Sequence, residues 1–278
     1  MMGRLALFLL GVAIMAPARA ELSARVSGAE ADRSAPYRET VSAVMVRPDE
    51  HRVWSLDHEY RVFELLPRNG VPPATNGHVH QLAVGWSDRV GAWDVSLAPT
   101  LAVSSNVLRH PASMRLDDWR LDGRVVRRTV GLAGGDWRWG IGVDDRFGDY
   151  APWPLVQWQT TLGEAFELTL GLPSNGVEWR VTERWRLSLD VFPDGGQWQV
   201  RDESRTRVSR LEQTRWRADL ALQWRVLPKV ALAAGVARLM DRRWSYRLED
   251  GRGAERTPSS ANAWFLAISW RLPGQTDN

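Results

Sequence analysis

The chain has 278 residues, 36 Lys+Arg against 33 Asp+Glu, sixteen tryptophans and no cysteine. Without cysteine there is no disulfide scaffold, no thiol nucleophile and no lipoprotein anchor. The formal charge of +3 falls to +1 once Arg4 and Arg19 are set aside with the leader described next, so no basic field points to nucleic acid.

Arg4 supplies a positive start, Leu5 to Met15 is an apolar run, and Ala18-Arg19-Ala20 is a small-x-small cleavage site before Glu21. This pattern predicts a secretory signal peptide over residues 1–20, with an apolar core too short for a permanent membrane helix. Charges interrupt every later apolar stretch, so the chain is either soluble outside the cytoplasm or a barrel. Residues 21–37 read as a polar N-terminal extension, 38–272 as the barrel and 273–278 as a polar C-terminal tail.

Beyond residue 38 the dominant signal is period two, which places alternate side chains on opposite faces of a strand. The runs fall at 39–47, 54–65, 78–87, 91–104, 116–130, 136–145, 153–161, 165–172, 176–182, 184–191, 196–204, 214–227, 229–246 and 261–272. Fourteen strands are expected on this count and twelve if the first two weak runs are dropped; either even number suits a bacterial barrel. In 216–226, Trp216, Ala218, Leu220, Leu222, Trp224 and Val226 share one face, while Arg217, Asp219, Gln223 and Arg225 share the other. The same split recurs around Trp93, Trp137, Trp139, Trp264 and Trp270. An antiparallel up-and-down transmembrane β-barrel, apolar toward lipid and polar toward its interior, requires this pattern.

Two turn sequences, Pro173-Ser-Asn-Gly and Pro193-Asp-Gly-Gly, sit in an internal repeat with an offset of about twenty residues, each joining a strand to a returning strand. Trp93, Trp137, Trp139, Trp179, Trp185, Trp216, Trp224, Trp264 and Trp270 are the candidates for girdles at the membrane interfaces. The lumen-facing candidates are Arg138, Glu167, Glu178, Arg180, Arg186, Asp190, Arg217, Asp219, Arg225 and Arg271. Lys229 is the only lysine, so the positive charge of this interior is arginine.

The stretches Trp93-Asp-Val-Ser-Leu-Ala-Pro, Ser104-Ser-Asn, Gly140-Ile-Gly-Val-Asp-Asp-Arg-Phe-Gly-Asp-Tyr and Trp153-Pro-Leu-Val-Gln-Trp resemble a bacterial outer-membrane β-barrel family of unknown function. So does the hairpin Leu168-Thr-Leu-Gly-Leu-Pro-Ser-Asn-Gly-Val-Glu-Trp, closing at Pro193-Asp-Gly-Gly-Gln-Trp. The resemblance spans about 75–272 and implies a fold and a compartment, with no catalytic residues. The chain departs from the usual terminal aromatic residue of such barrels, ending Trp270-Arg271-Leu272 and then the polar tail.

Few constellations carry chemistry. His78 and His80 share a strand face near a rim, but no third metal ligand is visible in the sequence. Ser104 and Ser105 lie beside Asn106 without a nucleophile elbow. Asp117-Asp118, Asp144-Asp145 and Asp149 lack a calcium-loop pattern and read as solvated loop acids. The expectation is a non-enzymatic outer-membrane protein with no cofactor and no metal, structural or forming a narrow channel with a charged, arginine-rich lumen. Its expected partners are outer-membrane lipid, lipopolysaccharide and the barrel-assembly machinery, with the solute unspecified. The alternatives are an outer-membrane enzyme acting on lipid or glycan, and a secreted Trp-rich β-sandwich that binds carbohydrate.

Overall fold

The computed structural model describes residues 19–30, 37–47, 52–63, 77–131, 135–201, 208–248 and 253–271. Residues 1–18, which hold most of the expected signal peptide, and the tail at 273–278 lie outside the described residues. The strands in chain order are β1 (Arg19–Glu30), β2 (Tyr37–Arg47), β3 (Val53–Phe63), β4 (His78–Val90), β5 (Trp93–Ser104), β6 (Trp119–Val130), β7 (Asp136–Asp144) and β8 (Ala151–Leu162). They continue as β9 (Phe166–Leu172), β10 (Asn175–Arg180), β11 (Trp185–Pro193), β12 (Gly196–Arg201), β13 (Val208–Leu227), β14 (Val230–Leu248), β15 (Gly253–Arg256) and β16 (Ala261–Arg271). A short helix, α1 (Ser105–Arg109), and two 3-10 turns lie between β5 and β6.

Fourteen of these strands close a ring in which every neighbour is antiparallel. β1 to β11 follow in order, β11 pairs with β13, β13 with β14, β14 with β16, and β16 with β1. The closure register sets Glu21 opposite Arg271 and Val26 opposite Leu266. Closing the sheet removes its edges, which a structure surrounded by lipid requires.

Two differences from the sequence reading concern which strands make the wall. The segment read as a polar extension holds most of β1, which begins at Arg19 within the expected signal peptide and whose Leu22, Ala24, Val26 and Gly28 alternate with Ser23, Arg25 and Ser27. Its apolar members are small, so the alternation is faint beside the tryptophan-bearing strands. Conversely, the run at 196–204, counted as a wall strand, holds β12, which stands outside the ring. It pairs with the upper part of β13, from Gly196 opposite Gln213 to Arg201 opposite Val208. β15 similarly pairs only with the upper part of β14.

The outer surface carries a belt of large apolar side chains open to the surroundings, among them Ile141 at 60% exposure, Leu220 at 44% and Leu266 at 57%. No helix among the described residues is long and apolar enough to cross a membrane. Connections at one rim are short, as at Gly91–Ala92 and Pro228–Lys229; at the other they are long, as at 64–77, 105–118 and 249–260. The start of β1 and the end of β16 lie at the short-turn rim, which is the periplasmic one in an outer-membrane barrel. This is such a barrel, and the long-loop rim is extracellular. A closed ring with its apolar face outward also excludes the sandwich alternative, in which two sheets would pack face to face over a shared core.

Candidate functional site: a lumen with a strand across its mouth

The ring places β5 and β13 opposite each other, with six strands between them whichever way one counts. β12 nevertheless reaches both: it is antiparallel to β13, and Gln199 pairs in parallel with Val103 of β5. The strand therefore crosses the extracellular mouth.

Its seat is apolar. Trp198 and Val200, 1% and 0% exposed, pack with Val79, Ala102, Leu211, Leu239 and Trp244. Burial of such side chains contributes about 1.5–3 kcal/mol each. The seat is also pinned by ions. Arg201 donates twice to Asp118, at 2.8 and 2.7 Å, and its backbone carbonyl accepts from Asn106 Nδ2 at 3.3 Å. Gln197 N donates to Asp145 at 2.6 Å, and its carbonyl accepts from Arg120 Nη1 at 3.0 Å. Arg120 in turn lies 2.6 Å from Asp145. Asp118 and Asp145, read from the sequence as solvated, are 3% and 5% exposed and hold the strand down. Their pairing to arginines is what lets them be buried. Burial pushes the Asp145 carboxyl up to about 6, against the pull of Arg120.

Beneath the strand a charge network spans the interior. Asp194, where the chain leaves β11, receives Arg61 Nη2 from β3 at 2.9 Å and Arg215 Nε from β13 at 2.9 Å, with Arg217 Nη1 at 3.5 Å. Arg217 Nε donates to Asp219 at 2.6 Å, and Asp219 also receives Arg25 Nη2 from β1 at 2.6 Å. Pro193-Asp-Gly-Gly is thus not a simple hairpin turn: Asp194 is 9% exposed and anchors β3 and β13 while the chain bends inward.

Within the lumen lies a cavity of about 240 Å³, lined by Arg124, Arg138, Arg146, Gln157, Gln159 and Asp190 among others. Arg146 is held by Asp144 at 2.6 Å and lies 4.2 Å above the Trp153 ring. Trp153 is 5% exposed and donates Nε1–H to Asp144 at 3.0 Å. A Cβ on Gly142 would run into that indole, so the glycine leaves room for an inward tryptophan.

The sequence candidates for the lumen fall as follows. Arg217 and Asp219 are buried in the network, and Arg138 and Asp190 line the cavity. Arg186 pairs with Glu178 at 3.1 Å, and Glu178 stands opposite Glu167 in the ladder. Arg180 and Arg225 are exposed near the periplasmic rim, where Arg271 lies 4.0 Å from Glu21.

Among the tryptophans, Trp93 and Trp139 meet edge-on at 6.0 Å with Arg127 5.6 Å from each ring. Trp185 stacks on Trp224 at 5.3 Å, and Trp179 on Phe166 at 5.7 Å. Trp137, Trp264 and Trp270 are exposed, and Trp216 is half-buried against Phe147. Sequence reasoning missed Arg25, Arg61, Arg120, Asp194, Arg201 and Arg215. Of these, Arg215 shares the parity of Arg217 and Asp219, and Arg61 and Arg120 lie two residues from Glu59 and Asp122, signals that were available; the partners that tie Arg25, Asp194 and Arg201 into the interior are remote in sequence.

No family model matches the sequence, and no curated protein matches it. Solved structures similar to this chain include the NanC porin, at 12% identity over 90% of this chain and 100% of that one, with a TM-score of 0.43. A bacterial polysaccharide outer-membrane secretin is 9% identical over 91% and 98%, with a TM-score of 0.40. OprB of Pseudomonas putida is 9% identical over 92% and 94%, with a TM-score of 0.35.

Proposed function

We propose that this barrel is a narrow outer-membrane channel whose extracellular mouth is held shut by β12 and whose lumen favours small anions. The observation that carries the reading is the double pairing of β12 with β13 and, across the mouth, with β5. A wall made only for structure has no need of a strand laid over its own opening. The three cavity arginines, Arg124, Arg138 and Arg146, support the anion preference, since fixed cations lining a narrow pore lower the barrier to anions. Contacts with outer-membrane lipid and lipopolysaccharide, and insertion by the barrel-assembly machinery, belong to the same reading.

Planar-bilayer recording tests it. Wild-type protein should be nearly silent. Replacing residues 195–201 with a short glycine-serine link should give discrete openings whose reversal potential, in a salt gradient, reports anion selectivity. A folded deletion variant as silent as the wild type would refute the channel, and a cation-selective one would refute the role of the arginines.

A further inference from the structure

A second constellation lies outside the lumen, on the barrel's outer face at the extracellular rim. β3 and β4 pair so that Tyr60 stands opposite His80 and Val62 opposite His78. The even positions of β4 also carry Val84, 47% exposed on the lipid side. His80 therefore points outward, and the chain leaving β5 covers it. Ser105, the first residue of α1, places Oγ 2.9 Å from His80 Nε2, while His80 Nδ1 lies 3.1 Å from His58 Nε2 on β3. The two imidazoles are close to coplanar, with an interplanar angle of 23°. Tyr60 packs on His80 with ring centroids 4.8 Å apart and bonds His78 through its hydroxyl.

An imidazole that merely sits at a membrane interface turns its nitrogens to water or headgroups. Both nitrogens of His80 are engaged by protein groups, and in a matched order. If Nδ1–H donates to His58 Nε2, the lone pair on Nε2 faces the Ser105 hydroxyl. That is the arrangement in which a hydroxyl is deprotonated as it attacks. Among the described residues no group of three or more His, Cys, Asp or Glu side chains is arranged to hold a metal ion.

We propose that Ser105 and His80 are a nucleophile and base that cleave a carboxylic ester of a lipid in the outer leaflet, with His58 as a positioning residue. The surroundings select the substrate class. Leu82, Leu108 and Met114 pack around the buried Leu101, Val103 and Val107 beneath the serine's loop. Leu116, 89% exposed, projects from the same loop, which also exposes Arg109 and Arg115. Apolar groups beside arginines suit acyl chains joined to an anionic headgroup, carried by phospholipid and lipopolysaccharide alike.

The step balances with water as co-reactant. Ser105 Oγ attacks the ester carbonyl and its proton passes to Nε2 of His80. The tetrahedral intermediate expels the alcohol, which takes that proton and leaves an acyl-serine. Water then attacks with His80 again as base; the fatty acid departs and the proton returns to Oγ.

The test uses full-length protein in detergent and in vesicles, with every variant shown to be folded by heat-modifiable gel migration. A fluorophosphonate probe should label the wild type on the peptide bearing Ser105, and Ser105→Ala should abolish that label. Vesicles of phosphatidylglycerol, and parallel vesicles containing lipopolysaccharide, should distinguish the source of the ester by which of them releases fatty acid. Ser105→Ala and His80→Gln should each lower release by about 100-fold or more, the usual range for loss of a general base or nucleophile. His58→Gln, which keeps an acceptor for Nδ1–H, should stay within about threefold of the wild type, whereas His58→Phe should fall at least about tenfold. A folded wild type that neither labels nor releases fatty acid would overturn the proposal, as would Ser105→Ala hydrolysing at the wild-type rate.

Discussion

At the residue scale, the mouth of the barrel depends on carboxylates that cannot be exchanged cheaply. Asp194 receives guanidinium groups from two wall strands while 9% exposed. Removing its charge takes away the carboxylate that Arg61, Arg215 and Arg217 share, although Arg61 keeps Glu59 and Arg217 keeps Asp219. Breaking a buried pair in this way costs about 3–5 kcal/mol, because the remaining charge stays desolvated. Asp194→Asn should therefore lower the unfolding free energy in detergent by that order; a loss under 1 kcal/mol would mean the network is better solvated than its geometry implies.

Asp145 behaves differently. Burial pushes its carboxyl up to about 6 from the usual 3.8, so folding favours the protonated acid. The folded state then binds more protons than the unfolded chain between those values, and stability rises as pH falls from about 6 toward 3.8. The gain is bounded at about 3 kcal/mol. Asp145→Asn should flatten that part of the stability curve, and a profile unchanged by the substitution would remove burial as its cause.

At the element scale, β12 shows where sequence patterning stops being informative. Gln197, Trp198, Gln199 and Val200 alternate as a wall strand does. In the barrel both apolar side chains of this strand face an internal seat. Period two reports that a strand has an apolar face; it does not report whether lipid or protein covers that face. The same ambiguity hid Trp153 and Trp244, which are buried, among tryptophans that are exposed. β1 was missed for the opposite reason, since Ala24 and Gly28 give a lipid-facing side too little hydrophobic contrast. Even there Gly28 has a role, because a Cβ on it would approach the Trp264 ring to 3.1 Å.

The difference between wall and mouth gives β12 a distinct mutational signature. Trp198→Ala empties an internal site, which costs about 3–5 kcal/mol for a fully buried aromatic side chain. The loss falls on the seat of β12 and leaves the fourteen-strand ladder intact. The variant should therefore insert and keep its heat-modifiable migration, yet become susceptible to protease at 194–201 from outside. A variant failing to insert would make β12 part of the assembling wall.

At the scale of the whole molecule, the ring and its two faces were legible in the sequence, and the contents of the lumen were not. Alternation is local: Trp216 to Val226 carries it within a single strand. The ion pairs that fill the interior join residues as far apart as Arg25 and Asp219, or Arg61 and Asp194. Such partners are selected by ring order, which a single sequence does not state. The catalytic geometry proposed at the rim has the same character, because Ser105 meets His80 only after α1 folds back over β4 and β5.

What can be tested for the molecule as a whole is the sidedness that ring order imposes. Leu220 lies on the outer face, 44% exposed, between Leu189 of β11 and Val236 of β14. Gln223, three residues on, stands opposite Arg186 and Ala233 on the inner face. An arginine at 220 must bury its charge in hydrocarbon, which costs roughly 2–4 kcal/mol near the bilayer midplane. The same side chain at 223 enters a polar interior that already holds Glu178 beside Arg186, at 3.1 Å. Leu220→Arg should reduce the folded, outer-membrane fraction several-fold, and Gln223→Arg should leave it close to wild type. Equal damage from the two would show that the faces are not separated as lipid and lumen, since no other property of this strand distinguishes positions so near each other.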